Sequence, residues 1–145
     1  MKFKKSFGII GILLLVFLLA SCSPMSKAEK LENYEVEENL IPSITSVVGE
    51  RKVVRVKTGT ENGIRSKEYE YVSDDVFDDL FDYVLHLMND GWTVTKDIDL
   101  NKIPGSGQFA KHAKEEGKII MLDFDYDLSG YTVIITHGKG TIDMH

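Results

Sequence analysis

Val54-Arg55-Val56-Lys57-Thr58-Gly59-Thr60-Glu61-Asn62-Gly63-Ile64-Arg65-Ser66-Lys67-Glu68-Tyr69-Glu70-Tyr71 decides the fold. Asn62-Gly63 is the strongest short signal for a two-residue type I′ turn, because both central residues of that turn need positive φ. Placing them at the turn pairs Glu61 with Ile64, and the ladder then runs back two residues at a time. Lys57 meets Glu68 and Arg55 meets Glu70 on one face; Val56 meets Tyr69 and Val54 meets Tyr71 on the other. Opposite charges facing water and β-branched–aromatic pairs facing a core are what a two-faced antiparallel sheet prefers. A slip of one residue would set charge against apolar side chains.

Downstream, Ser73-Asp74-Asp75 reads as a helix N-terminus, with Ser73 as cap and the aspartates against the positive end of the helix dipole. Phe77, Leu80, Phe81, Val84, Leu85 and Met88 follow at spacings of three and four and predict the buried stripe. Asp75, Asp78, Asp79 and Asp82 then fall on the solvated side, and His86 at the edge of the stripe. Gly91, with Trp92 behind it, predicts the stop. Trp92 to Ile98 alternates as a third strand. Asp99 to Gly107, with Pro104-Gly105-Ser106-Gly107, reads as an irregular loop. Gln108 to Glu116 suits a short helix stopped by Gly117, with a strand as the alternative. Ile120, Leu122, Phe124 and Tyr126, then Tyr131, Val133 and Ile135, are the inward sets of a last hairpin. A loop at Asp127–Gly130 sets Tyr126 against Tyr131, Phe124 against Val133 and Leu122 against Ile135.

The expected architecture is α+β: a mostly antiparallel sheet of about five strands in the order β-β-α-β-short α-β-β, with the helix or helices on one face. The folded domain is expected over 43–145. Residues 22–42 read as a flexible tether, because Lys27 to Glu38 holds two lysines and five glutamates among few large apolar residues.

The N-terminus carries an address. Met1-Lys2-Phe3-Lys4-Lys5 has three positive charges and no acid, and Phe7 to Ala20 is a run of fourteen apolar residues and glycines. That is the pattern of a secretory signal peptide. As a helix the run would be roughly 21 Å long at about 1.5 Å per residue, short for a hydrocarbon core of about 30 Å. Leu19-Ala20-Ser21-Cys22 closes it and resembles the lipobox of bacterial lipoproteins. The resemblance implies that residues 1–21 are removed as a signal peptide, that Cys22 is lipidated (diacylglyceryl and palmitate-type chains), and that the chain is held in the membrane through it. It implies an extracytoplasmic address in the cell envelope, on the outer leaflet of the cytoplasmic membrane or on an outer membrane. Two acyl chains hold stably where one does not. Lipidation of Cys22 leaves no cysteine for a disulfide within the domain.

The full chain carries −6, and residues 1–21 hold three lysines and no acid, so the remainder carries −9. Such acidity opposes nucleic-acid binding, which needs clustered Lys and Arg. It leaves a basic protein or peptide as a partner class. Asp123, Asp125 and Asp127 alternate along one strand and form the candidate acidic surface for a basic partner or a cation; the simpler role is to keep an outer face wet. Asp97-Ile98-Asp99-Leu100-Asn101 has the opening spacing of a calcium loop, but Lys102 replaces the turn glycine and Gln108 the bidentate glutamate. Gly105-Ser106-Gly107 lacks the lysine and spacing of a phosphate loop. The four histidines show no metal-ligand spacing, and no nucleophile elbow is present. No catalytic residue, metal site or cofactor is expected. The reading is a non-catalytic binding or structural lipoprotein, or alternatively a protective or inhibitory one whose acidic surface captures a basic peptide or protein.

Overall fold

The computed structural model describes residues 27–143. It is an α+β fold in which a mostly antiparallel sheet carries both helices and a small hairpin on one side. The strands are β1 (Lys27–Glu29), β2 (Asn33–Val36), β3 (Asn39–Pro42), β4 (Arg51–Glu61), β5 (Ile64–Val72), β6 (Thr93–Lys96), β7 (Gly105–His112), β8 (Lys118–Tyr126) and β9 (Gly130–Lys139). The helices are α1 (Ile44–Val48) and α2 (Val76–Asn89). Seven strands form one sheet in the order β1-β4-β5-β9-β8-β7-β6, and β2 and β3 form a separate pair. The expected count of about five strands is therefore corrected upward.

The first hairpin forms around Asn62 and Gly63, both at positive φ, and pairs Glu61 with Ile64, Lys57 with Glu68, Arg55 with Glu70 and Val56 with Tyr69. One pair differs. Tyr71 faces Val53 rather than Val54, because the register shifts between Val53 and Arg55. The extra residue in this bulge, Val54, is exposed, while Val53 stays buried. Arg55 lies 2.9 Å from Glu70 and 3.3 Å from Glu68 on the outer face.

The last hairpin has the expected register, with Tyr126 opposite Tyr131, Phe124 opposite Val133 and Leu122 opposite Ile135. These six are buried. Gln108 to Glu116 is not a helix. Gly105–His112 is β7, paired along its length with β8. Gly107, Phe109 and Lys111 sit opposite Phe124, Leu122 and Ile120, so period two wins over the apparent helical spacing. A Cβ on Gly107 would lie 2.7 Å from Cβ of Ile98, so glycine lets the preceding loop lie directly on the strand.

The largest correction concerns 27–42, the described part of the expected tether. This stretch forms three strands packed with the rest of the fold, so the folded region is not confined to residues from 43 onward. Tyr34, Val36 and Ile41 are buried, while Glu35, Glu37 and Glu38 face solvent. The segment is a two-faced hairpin whose acidic outer side hid its alternating inner one. Ser43 caps α1 by accepting from the Ser46 backbone N–H at 3.1 Å, and its hydroxyl also bonds the Leu31 carbonyl.

α2 carries the chain from β5 across the inner face of the sheet to the far edge strand β6. Leu80, Tyr83 and Leu87 from the helix share one core with Phe109, Leu122, Phe124, Val133 and Ile135. Tyr83 and Phe109 each meet Phe124 edge to face, at centroid distances of 5.7 and 5.9 Å. No helix among the described residues is long and apolar enough to cross a membrane.

Candidate interaction surface

Two apolar stripes coexist on α2. Phe77, Leu80, Phe81, Val84, Leu85 and Met88 were expected inside. Val76, Leu80, Tyr83 and Leu87 also recur at spacings of four, three and four, and this second set is the buried one. Leu80 alone of the first set is fully buried. Phe77 is 46%, Phe81 48%, Leu85 46% and Met88 54% exposed. The helix is thus rotated by about one residue, roughly 100°, from the orientation the first stripe predicts.

The rotation is held by polar anchors. Asp79, expected on the solvated side, is 2% exposed. Arg51 grips it with two bonds, Nε to Oδ2 at 2.7 Å and Nη2 to Oδ1 at 2.6 Å. The hydroxyls of Ser73 and Tyr131 donate to Oδ2 at 2.6 and 3.0 Å. Burial pushes the Asp79 carboxyl up, and the Arg51 fork with the two hydroxyls outweighs it, so the group is held below the usual carboxylate range. Burial, then the neighbouring Asp79 charge, raises the Tyr131 phenol. Ser73, expected as the cap of α2, is not at the cap position, which is Asp75 and makes no side-chain capping bond. Ser73 instead accepts from the Asp75 backbone N–H at 3.0 Å just ahead of the helix while serving the buried network. Farther along, Tyr83 donates to the Pro42 carbonyl at 2.7 Å and ties α2 to the β2–β3 hairpin.

A second polar cluster pins the β7–β8 turn. Glu115 Oε2 accepts from Asn39 Nδ2 at 3.0 Å and lies 3.2 Å from Nε2 of the buried His137. Asn39 in turn accepts from the Lys114 backbone N–H at 2.9 Å. The Asn39 amide, the residue's own N–H and His137 hold the Glu115 carboxyl down to about 2. Both polar clusters join β2–β3 or α2 to the sheet and account for themselves structurally.

Asp123, Asp125 and Asp127 do not converge. Asp123 and Asp125 lie on the outer face of β8; Asp123 accepts from Gln108 Nε2 at 2.7 Å, and Asp125 stands opposite Ser106 and Thr132. Asp127 belongs to the β8–β9 turn, where it accepts from the Ser129 N–H at 2.7 Å, the Ser129 hydroxyl at 2.6 Å and the Gly130 N–H at 3.2 Å. The Ser129 hydroxyl and these backbone groups lower its pKa. The carboxylate is spent on the turn. Asp99 likewise accepts from the Asn101 N–H at 3.1 Å inside a turn. Among the described residues no group of three or more His, Cys, Asp or Glu is placed to hold a metal ion.

The surface hollows are open to solvent. One of about 610 Å³ lies between the β2–β3 turn and the distal half of the first hairpin, where Arg65 Nε meets Glu37 Oε1 at 2.5 Å. Another of about 440 Å³ lies on the outer face between Thr93–Thr95, Met121 and Thr141–Asp143. Cys22 lies outside the described residues. The surface that stands out is therefore the exposed stripe of α2, which sequence reasoning took for core. Its signal was present: Val76-Leu80-Tyr83-Leu87 competes for the inside at the same period, and a helix cannot bury both arcs fully. No family model, curated protein or solved structure matches the chain.

Proposed function

We propose that the chain is a bacterial-type lipoprotein, anchored outside the cytoplasm through lipidated Cys22, whose domain is a non-catalytic binding module of the cell envelope. The observation that carries this reading is Leu19-Ala20-Ser21-Cys22 standing directly behind a basic n-region and a fourteen-residue apolar run. The positive-inside rule leaves Lys2, Lys4 and Lys5 in the cytoplasm and the remaining chain outside. The binding-module part is supported by an amphipathic helix whose apolar outer face is left to solvent, and by hollows that are shallow rather than enclosing.

The folded start at Lys27 sharpens the geometry. Only residues 23–26 separate Cys22 from β1, and at no more than about 3.6 Å per residue the anchor sits within roughly 18 Å of the first strand. On this reading the domain is held close to the bilayer, without the long tether that composition alone implies.

Cys22→Ala is expected to abolish incorporation of labelled fatty acid and to leave the N-terminal segment uncut. Metabolic labelling followed by mass measurement checks both. Fatty-acid incorporation that persists in the substituted protein would remove the reading.

A further inference from the structure

We infer that the outer face of α2 is a docking surface for a basic amphipathic helical segment of a protein partner. Phe77, Phe81, Val84, Leu85 and Met88 form a strip along the helix, about 17 Å from first to last at 1.5 Å per residue. All but Val84 are roughly half exposed, and the rings of Phe77 and Phe81 stack at 6.2 Å. The exposed area is of the order of a few hundred Å², the scale at which apolar patches mark interaction sites.

This face is left out by the helix's own anchoring. Turning α2 by one residue would cover Phe77, Phe81, Leu85 and Met88 and return Asp79 to water, while uncovering Val76, Tyr83 and Leu87 instead. The fold instead commits Arg51, Ser73 and Tyr131 to burying a carboxylate, and Tyr83 to the Pro42 carbonyl. Burying an ion pair is seldom the stabilising choice. The arrangement locks the second apolar arc outward.

Charge selects the occupant. Asp78 and Asp82 follow Phe77 and Phe81 directly, so an exposed acidic row runs beside the apolar one at the same spacing of four. From Glu68 to Thr95, twenty-eight residues hold eight acids and no lysine or arginine. A second copy of this helix would bring the same acidic row and no lysine or arginine of its own to answer it. Anionic lipid headgroups would be repelled in the same way. A partner helix with apolar residues every three or four positions and Lys or Arg along its edge satisfies both rows, with ridges of spacing four packing into its grooves. The inference rests on the binding-module reading and names its site and partner class; it does not depend on the lipid anchor.

The test uses the full-length lipidated protein in neutral phosphatidylcholine nanodiscs, with empty discs as reference. The probe is a fluorescent peptide of about eighteen residues with leucines at helical spacing and lysines along the edge; its control carries glutamates in place of the lysines. Anisotropy should show saturable binding of the lysine peptide, weakened by salt, and binding of the glutamate peptide at least tenfold weaker. Phe77→Ser with Phe81→Ser should weaken the lysine peptide at least about tenfold, as truncated hot spots do. Asp78→Lys with Asp82→Lys should reverse the preference between the peptides. All four positions are exposed, and an unchanged melting temperature verifies that the fold is intact. Equal binding of both peptides overturns the inference, as does binding that survives the serine variant. Crosslinking of two copies that the serine variant abolishes, or docking of α2 on anionic vesicles, would also overturn it by assigning another occupant. Peptide binding by an unlipidated chain would sink the anchor and leave the docking surface standing; a lipidated chain that ignores the peptide would do the reverse.

Discussion

Asp79→Ala is expected to destabilise the domain by about 3 kcal/mol, the lower end of the 3–5 kcal/mol seen when one partner of a buried ion pair is removed. The lower end applies because the Arg51 side chain keeps 22% of its surface in water and can recover some hydration. What remains is a guanidinium beside a cavity, and two hydroxyls, Ser73 and Tyr131, that lose their common acceptor. For a domain of this size the melting temperature should fall by on the order of 10 °C. Arg51→Lys should be intermediate, because an ammonium keeps the charge but cannot supply the two-toothed grip. Arg51→Met combined with Asp79→Leu should cost less than the sum of the single changes, since neither charge is then left alone.

The pH dependence gives an independent check. Asp79 has a folded-state pKa below its unfolded value, so its contribution is complete above the unfolded value near 4 and is lost as pH falls through the lower folded one. The gap in stability between the parent and Asp79→Ala should therefore be widest at neutral pH and narrow below about pH 4. Glu115, held down to about 2, and Asp127 add to acid sensitivity in both proteins and cancel in the comparison. Urea melts at pH 7 and pH 3 measure the gap. A variant that melts within a degree or two of the parent at pH 7 would show that the buried network does not hold the helix.

What was legible in the sequence depended on whether a local rule had a competitor. Asn62-Gly63 fixed one register because no other turn in that stretch satisfies its backbone, and Tyr126, Phe124 and Leu122 found their partners through alternation alone. The bulge at Val54 was invisible because Val53 and Val54 are equally able to face Tyr71; what separates them is Arg51, which must reach Asp79 across the helix. α2 carried two stripes of one period, and the choice between them lies in Asp79 and Tyr83, whose partners are remote in sequence: Arg51, Tyr131 and Pro42. β7 looked helical over two turns because Phe109, His112 and Ala113 fall at spacings of three and one. Only pairing with β8 shows that Gly107 and Phe109 face inward, with Lys111 on the same side but at the partly exposed rim. The candidate interaction surface was missed for the same reason as the helix rotation: its residues are core-like in kind and surface in place.

Tyr34→Ala is expected to destabilise the domain by about 4 kcal/mol, within the 3–5 kcal/mol range for deleting a buried aromatic ring. Tyr34 is fully buried, packs on Tyr69 at a centroid distance of 4.6 Å, and shares a hydrogen bond with the Tyr71 hydroxyl at 3.0 Å. Its oxygen also accepts from the Ile44 N–H at 3.3 Å, so the residue joins β2, the interior strand β5 and the start of α1. Tyr34→Phe keeps the ring and should cost about 1–2 kcal/mol, for a hydroxyl and an amide left without their partner. Leu40→Ala, next to the buried Ile41 but 59% exposed itself, should change little. The three substitutions together distinguish a folded hairpin from a solvated tether, in which all three would be silent. The outcome also bears on the anchor. If Tyr34→Ala leaves the urea midpoint unchanged, residues 27–42 are free to extend, and the distance from Cys22 to the first fixed strand grows to that of a long tether. If the midpoint falls as expected, the proposed anchor at Cys22 would hold the domain close to the membrane, and the helical partner proposed for α2 would have to reach it there.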